Sequence, residues 1–228
     1  MIKRIFLLIF LIPVLLLSGC DVGFKIKAWQ VVSEYRKCLF VASCEDFSAT
    51  FTSGKREASY SYDGVSSDLV DFGVLTVQFF SKLEPDNTPQ YVLFINTIQY
   101  EDILEFNPID GTYVADIGKD ISNKSDIYLR VYGGGVNDQT KMKCVSNNWK
   151  VSYKQAFNTA LQKFKPILKK QIKHNSINGE FFIKIVGDKS DQTLNICWYV
   201  SYLGVDKTTL ACIIDVYSNQ IIAFKKAN

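Results

Sequence analysis

The sequence has only one histidine, a residue on which many catalytic and metal sites depend. Its one histidine, His174, would have to serve any Ser-His-Asp triad, and we interpret it as a solvated loop residue. Cys38 and Cys44 are separated by five residues, so they are not a Cys-x-x-Cys pair, and no set of His and Cys residues has zinc-site spacing. We therefore predict no cofactor, no metal and no enzymatic activity.

Two further patterns have simpler interpretations than catalysis. Glu101, Asp102 and Glu105 lie close in sequence, but this does not set the separation of carboxylates that glycoside hydrolysis needs. We interpret them as a solvated strand end. Gly133–Gly135 lacks the Lys-Ser/Thr pair of a phosphate-binding loop, and we expect a turn there.

Arginine is absent from residues 150–228, which carry 12 lysines and five acidic residues, a net charge of +7. Residues 21–149 instead carry 12 basic and 18 acidic residues, a net charge of −6. This contrast predicts either two modules with different surfaces or one domain whose halves attract each other.

The N-terminus has the pattern of a secretory signal peptide. Lys3 and Arg4 precede an apolar run over residues 5–17, which is short for a membrane span of about 20 residues. Small residues then precede Cys20. The alternative is an uncleaved N-terminal anchor with a coincidental cysteine.

Leu17-Ser18-Gly19-Cys20 resembles the lipobox of bacterial lipoproteins. The resemblance implies cleavage of residues 1–19 and attachment of diacylglycerol to Cys20, with a further acyl chain such as palmitate often added to the new amine. Two or three chains anchor a protein stably, whereas one holds it marginally. We thus expect a lipid-anchored protein on the extracytoplasmic side of a bacterial membrane. Either the inner or the outer membrane fits this expectation.

Residues 20–150 predict a β-sandwich-like module, because alternating, aromatic-rich segments are separated by turn residues. A short amphipathic helix is expected over residues 25–37. The predicted strands are Arg56–Tyr62, Leu69–Phe80, Tyr91–Phe106, Tyr113–Ile117, Ile127–Tyr132 and Met142–Val151.

Residues 151–228 predict an α+β module, a helix packed on an antiparallel meander. Ser152 and Gln155 fit a capping box at the start of the helix, and Pro166 is expected to kink or divide it near Phe164. The predicted strands are Glu180–Val186, Leu194–Leu203, Thr209–Tyr217 and Gln220–Lys225. The fold class is therefore mostly β with an α+β C-terminal part.

Near the C-terminus, Trp198-Tyr199-Val200 and the segment Ile214–Ile222 resemble the end of PepSY-type domains. Those domains typically close with an apolar-Asp-Ala-x-Thr-Gly turn; here Val216, Ser218 and Asn219 replace the Ala, Thr and Gly. Asn tolerates the left-handed conformation of such a turn. The resemblance implies a small non-catalytic exported module that binds or restrains partner proteins.

Five cysteines follow Cys20, and an exported chain permits disulfides. Cys38–Cys44 is the easiest pair, and Cys38–Cys144 stays open as an alternative. Cys197 and Cys212 fall on opposite faces when the apolar faces of their strands are paired. We therefore expect Cys212 to be a buried small hydrophobic residue.

A lysine-rich helix is the other candidate site. Its members are Lys163, Lys165, Lys169, Lys170 and Lys173, which suit an anionic surface or, alternatively, a solvated helix face. The absence of Arg from this module weakens phosphate recognition, because Arg would supply a bidentate fork, and no specific nucleic acid is predicted.

Our main functional hypothesis is a membrane-anchored, non-enzymatic lipoprotein that binds or scaffolds an envelope protein. The alternatives are a cell-envelope inhibitor or hydrolase accessory, and a binder of anionic surfaces through the lysine helix.

Overall fold

The computed structural model describes residues 22–58, 68–83, 88–170, 172–173, 176–188 and 195–227. Two helices and fifteen strands lie in these ranges. In chain order they are α1 (22–30), β1 (Val32–Ser43), β2 (Phe47–Glu57), β3 (Leu69–Phe79), β4 (Gln90–Ile95), β5 (Ile98–Ile103), β6 (Glu105–Asn107), β7 (Thr112–Ile117), β8 (Ile127–Gly133), β9 (Val136–Cys144), α2 (Tyr153–Leu168), β10 (Ile172–Lys173), β11 (Ser176–Ile177), β12 (Gly179–Asp188), β13 (Asn195–Gly204), β14 (Thr209–Asp215) and β15 (Ile221–Ala227).

The described chain divides into two compact units. One, here called the all-β unit, comprises residues 34–153; the other, the mixed unit, comprises residues 22–33 and 154–227. The division after Tyr153 lies close to the boundary expected at residue 150. The division after Ser33 differs from expectation, since residues 22–33 group with the C-terminal part instead of with the module of residues 20–150.

Two antiparallel sheets build the all-β unit. The first has the order β6-β7-β3-β2-β1, and the second has the order β5-β4-β8-β9. They join along one edge, where Phe40 and Val41 of β1 pair with Cys144 and Lys143 of β9. One apolar core contains side chains from both sheets, including Phe51 and Leu75 from the first and Leu93 and Leu129 from the second. The prediction that this part of the chain is mostly β is confirmed, and the two sheets are continuous through the pairing of β1 with β9.

The mixed unit packs a helix on an antiparallel meander of order β15-β14-β13-β12, as expected. The apolar stripe of α2 is buried, and the ring of Phe157 meets that of Phe181 on β12 at 5.2 Å between centroids. The ring of Trp29 of α1 also meets that of Phe157, at 5.3 Å between centroids. The protein is thus mostly β, with an α+β C-terminal part.

The register between β13 and β14 follows the predicted apolar faces. Val200 pairs with Cys212, and Trp198 pairs with Ile214, so both pairs face the interior. Cys197 instead lies opposite Asp215. Because side chains alternate along a strand, Cys197 and Cys212 point to opposite faces, and Cys212 is fully buried.

Three local predictions differ from the structure. The helix expected over residues 25–37 ends at residue 30, and β1 takes up Glu34 and Tyr35, which pair with Arg56 and Lys55 of β2. The spacing of apolar residues over so short a segment fits either a helix or a strand. Pairing with the distant strand β2 therefore decides the conformation of Glu34 and Tyr35.

The long strand expected over Tyr91–Phe106 is three strands, and Asn96, with a left-handed φ of 54°, turns the chain between the first two. The strand expected over Met142–Val151 begins earlier, at Val136, and ends at Cys144, before a 3₁₀ turn at Ser146–Asn148. Gly134 and Gly135, with φ values of 64° and 88°, form the two-residue loop that connects β8 to β9.

Pro166 does not divide α2. The helix begins at Tyr153, directly after the predicted cap Ser152, and continues to Leu168. The proline stands in the last turn, and Phe164 and Leu168 on either side of it are buried. Packing of these two side chains outweighs the loss of one backbone hydrogen bond near the end of the helix.

The predicted strand Arg56–Tyr62 lies partly outside the described residues, since β2 ends at Glu57 and residues 59–67 are not described.

Candidate functional site

The outward surface of the second sheet of the all-β unit carries an ordered set of mainly aromatic and polar side chains, together with the exposed Ile103 and the largely buried Val92. Strand pairing places them in three rows across β5, β4, β8 and β9. The rows are Gln99–Phe94–Tyr128–Lys141, Glu101–Val92–Arg130–Gln139 and Ile103–Gln90–Tyr132–Asn137. We call these twelve residues the aromatic–polar face.

Alternation along the strands explains why this face is presented to solvent. On β8, Ile127, Leu129 and Val131 are fully buried, whereas Tyr128 and Arg130 are exposed. Period-two alternation therefore places the apolar residues in the core and the aromatic and charged residues outside.

Arg130 is held at the centre of the face by two neighbours. Its guanidinium lies over the ring of Tyr132, 5.7 Å from the centroid. Its Nε and one terminal nitrogen donate to Oδ1 of Asn137 at 3.1 and 2.9 Å. The hydroxyl of Tyr132 in turn donates to Oε1 of Gln90 at 2.8 Å. Four side chains from three strands thus hold one another in place.

Lys141 occupies the end of the first row. Its ammonium group lies 5.2 Å from the ring centroid of Tyr128 and 2.7 Å from a carboxylate oxygen of Asp126. The hydrogen bond to Asp126 raises the pKa of Lys141, and Tyr128 adds to the effect. The lysine therefore stays charged at all physiological pH values.

This arrangement suits binding of a macromolecule. Tyr and Arg dominate the energetic centres of protein interfaces, because they bring large contact area and directional hydrogen bonds. Tyr128 is 38% exposed and stands directly opposite Phe94 on the neighbouring strand. Since strands hold the side chains rigidly, little conformational entropy is lost when a partner binds.

Of the carboxylates considered above, Glu101 and Asp102 lie on β5, the edge strand of this sheet, whereas Glu105 lies on β6, the edge strand of the first sheet. Glu101 and Asp102 are consecutive on β5, so they point to opposite sides, and Glu105 is on β6. Glu101 accepts a hydrogen bond from Gln99 at 2.8 Å, while Asp102 accepts one from the backbone N–H of Ile103. All three side chains are exposed. The interpretation as a solvated strand end agrees with this placement.

The expected Cys38–Cys44 disulfide is not formed in the structure. Cys38 lies within β1 and Cys44 directly after its end, so the six-residue separation spans about 20 Å of extended chain. A disulfide needs Cα atoms within about 7 Å. The five described cysteines, including Cys144 of the alternative pair, are free thiols.

Cys38 belongs to a buried polar cluster. Its Sγ lies 3.2 Å from Oγ of Ser53, and Ser53 Oγ also accepts the N–H of Ile121 at 3.1 Å. Asp120 accepts hydrogen bonds from Ser53 and from Lys37. Burial raises the pKa of the Cys38 thiol to about 11, so the thiol is protonated and unreactive at neutral pH. The cluster fastens the segment after β7 to the first sheet.

The structure does not bring the lysines of α2 to one surface. Lys163 and Lys165 are two residues apart on a helix, and therefore point to opposite flanks. The ammonium group of Lys163 lies 5.2 Å from the ring centroid of Phe224 on β15. Lys165 instead lines a crevice with Phe24 and Lys25 of α1.

Lys169 and Lys170 are exposed directly after the end of α2. The side chain of Lys173, like His174, lies outside the described residues. So do Cys20 and the preceding residues 1–19, and lipid attachment therefore stays a prediction.

Within the described ranges, no helix combines the length and the apolar character that crossing a bilayer requires. The same ranges contain no group of three or more His, Cys, Asp or Glu side chains placed to hold a metal ion.

The aromatic–polar face was missed from the sequence. Its signal was present in the alternation of Tyr128, Arg130 and Tyr132, which predicted only a half-buried strand. Comparison with models of known protein families, with characterised proteins and with solved structures finds no match for this chain.

Proposed function

We propose that the chain is a lipid-anchored, non-enzymatic protein of the bacterial envelope that binds a protein partner through its aromatic–polar face. Cys20 carries the anchor, and the folded units stand on the extracytoplasmic side of the membrane. The observation that supports the binding role is the preordered group of Arg130, Tyr132, Asn137 and Gln90.

The size of the face indicates its role in such an interface. Four strands and three rows, with their side chains, span roughly 20 Å by 20 Å, on the order of 400 Å². A standard protein interface buries about 800 Å² on each partner. The face therefore supplies the centre of an interface, and the residues that surround it supply the rim.

The chemistry of the face also indicates the kind of partner. Both charge signs are present, with Arg130 on β8 and Lys141 on β9 and with Glu101 on β5. Mixed charge among aromatic rings fits a protein surface with its own charge pairs better than a uniformly anionic polymer such as nucleic acid.

Site-specific photocrosslinking in the producing cells tests this function. A photoreactive amino acid replaces Gln99 or Gln139, which are exposed on the face, and in control strains Lys119 or Asn123, which are exposed in the same unit off the face. We expect a discrete adduct with one envelope protein from the first pair alone, and its loss when Arg130→Glu is added.

Lys124→Glu is the matched charge reversal off the face and should leave the adduct intact. Lipid on Cys20 is verified in each strain by mass spectrometry of the N-terminal peptide. Absence of an adduct at Gln99 and Gln139, or the same adduct at Lys119 and Asn123, would contradict the proposed binding role.

A further inference from the structure

The solvent side of α1 carries an apolar pair at an unusual place. Val22 and Ile26 are one helical turn apart, and they are 56% and 55% exposed. Phe24 and Ala28 are buried on the opposite side of the same helix. A single exposed Ile would need no explanation. An exposed pair on one side of the first described helix, beside the predicted lipid attachment site, does need an explanation.

Basic side chains accompany this pair. Lys25 is exposed between Val22 and Ile26, and Lys165 of α2 lines the same crevice as Lys25. Among the described residues, Phe24, Asn158, Leu161 and Gln162 also line this crevice. The crevice measures about 20 Å³, room for no more than a water molecule, so the two lysines act on a surface rather than in a pocket.

The position of Cys20 selects the surface that α1 meets. Only Asp21 separates Cys20 from Val22, and two residues of chain reach at most about 7 Å. A lipid-modified Cys20 therefore holds the start of α1 at the level of the headgroups. An exposed apolar pair with flanking lysines is the pattern of a helix that lies in the membrane interface, because the lysines reach phosphates while the apolar side chains enter the acyl boundary.

We infer that α1 lies on the anionic phospholipid leaflet, with Val22 and Ile26 inserted among the lipids and Lys25 and Lys165 against lipid phosphates. This inference rests on the proposed lipid attachment. It adds that the mixed unit is oriented by a second contact with the membrane, in addition to the tether. Lys163 on the opposite flank of α2 takes no part.

Photocrosslinking to lipid tests the contact in the full-length lipidated protein. A photoreactive amino acid replaces Ile26 or, as control, Ile222 on β15, which is exposed to a similar degree at 60%. The protein is reconstituted in vesicles of phosphatidylcholine with phosphatidylglycerol that contain a labelled phospholipid. We expect about tenfold or more lipid adduct at position 26 than at position 222.

A linker separates true contact from mere tethering. A flexible Gly-Ser segment of about twelve residues between Asp21 and Val22 lets the folded units leave the membrane. We expect the adduct at position 26 to persist with the linker. It should fall about tenfold when Lys25→Glu and Lys165→Glu are added, or when phosphatidylglycerol is omitted.

Lys163→Glu with Lys207→Glu is the matched control for charge and should leave the adduct unchanged. Loss of the adduct on linker insertion alone, or equal labelling at positions 26 and 222, overturns the inference. Mass spectrometry of the N-terminal peptide keeps the two proposals apart. An unmodified Cys20 overturns the lipid anchor and this inference together, whereas a modified Cys20 without lipid adduct at position 26 overturns only this inference.

Discussion

The hydroxyl of Thr159 on α2 donates a hydrogen bond of 3.0 Å to Oδ1 of Asn219, in the turn between β14 and β15. Asn219 has a φ of 61°, in the left-handed region. The PepSY-type pattern has a glycine at this position. Asn219 accommodates the same backbone and also ties the hairpin turn to the helix.

Asn219→Ala should lower the free energy of unfolding by about 2 kcal/mol, since a left-handed residue without a polar side chain costs about 1–2 kcal/mol and the lost hydrogen bond about 1 kcal/mol. Asn219→Gly keeps the turn and loses only the bond, so its cost should be about 1 kcal/mol or less. Urea unfolding followed by circular dichroism measures both.

The partner variant Thr159→Val completes a double-mutant cycle with Asn219→Gly. We expect the double variant to be more stable than the sum of the single effects predicts, because both changes remove the same bond. Strict additivity would show that the hydrogen bond contributes nothing to stability.

Gly54 is required by a close approach of two strands. A Cβ at this position would clash with the backbone oxygen of Tyr35, next to the irregularity in register between Arg36 and Cys38. Because a backbone atom cannot move aside cheaply, Gly54→Ala should cost more than about 2 kcal/mol of stability.

Gly118→Ala is the control, since a Cβ there would meet nothing within 4 Å. It should change stability by less than about 0.5 kcal/mol. Thermal unfolding compares the two variants, and equal stability would show that β1 and β2 tolerate separation at Gly54.

The five described cysteines should differ in reactivity. Cys38 and Cys212 are fully buried, and burial raises the pKa of each thiol to about 11. Near pH 8 only about one such thiol in a thousand is ionised, and solvent does not reach it. Alkylation of the native protein should therefore modify Cys44, Cys144 and Cys197 first.

Mass spectrometry of peptides after timed alkylation measures the order of modification. Denaturant should release Cys38 and Cys212 together with global unfolding. Rapid modification of either residue in the native protein, or a Cys38–Cys44 disulfide in the purified chain, would contradict the β1 structure described above.

Acid should weaken the turn after β14. The hydrogen bonds from the hydroxyl and the N–H of Ser218 lower the pKa of Asp215 below its usual 3.8, with a further N–H from Tyr217. A group with a lowered folded pKa stabilises the protein above its unfolded pKa, and this contribution is lost as pH falls through the folded value.

Asp215→Asn should thus be less stable than the unmodified protein at neutral pH, and the difference should vanish below the folded pKa of Asp215. Urea unfolding across the acid range measures it. Ser218→Ala should reduce the same pH dependence, and a stability difference that does not change with pH would contradict this account.

Local pattern was sufficient for much of the fold. The apolar stripe of α2 and the alternating faces of β13 and β14 were identified correctly, because their periods of 3.6 and 2 are properties of consecutive residues. Short segments with ambiguous spacing were not identified correctly. The change from the expected helix to the observed strand near Val32 shows this. There the pairing of Glu34 with Arg56 decides the conformation, and no local pattern contains that information.

Taken alone, the sequence determined the fold class, the burial of Cys212 and the lipobox-like pattern at Cys20, since each depends on neighbours along the chain. Tertiary structure decided which strands adjoin. It placed Phe94 beside Tyr128 and Arg130 over Tyr132, and it exposed Val22 with Ile26. The physical reason is that a surface consists of residues brought together by long-range pairing and packing, and their order along the chain does not reveal which of them will meet.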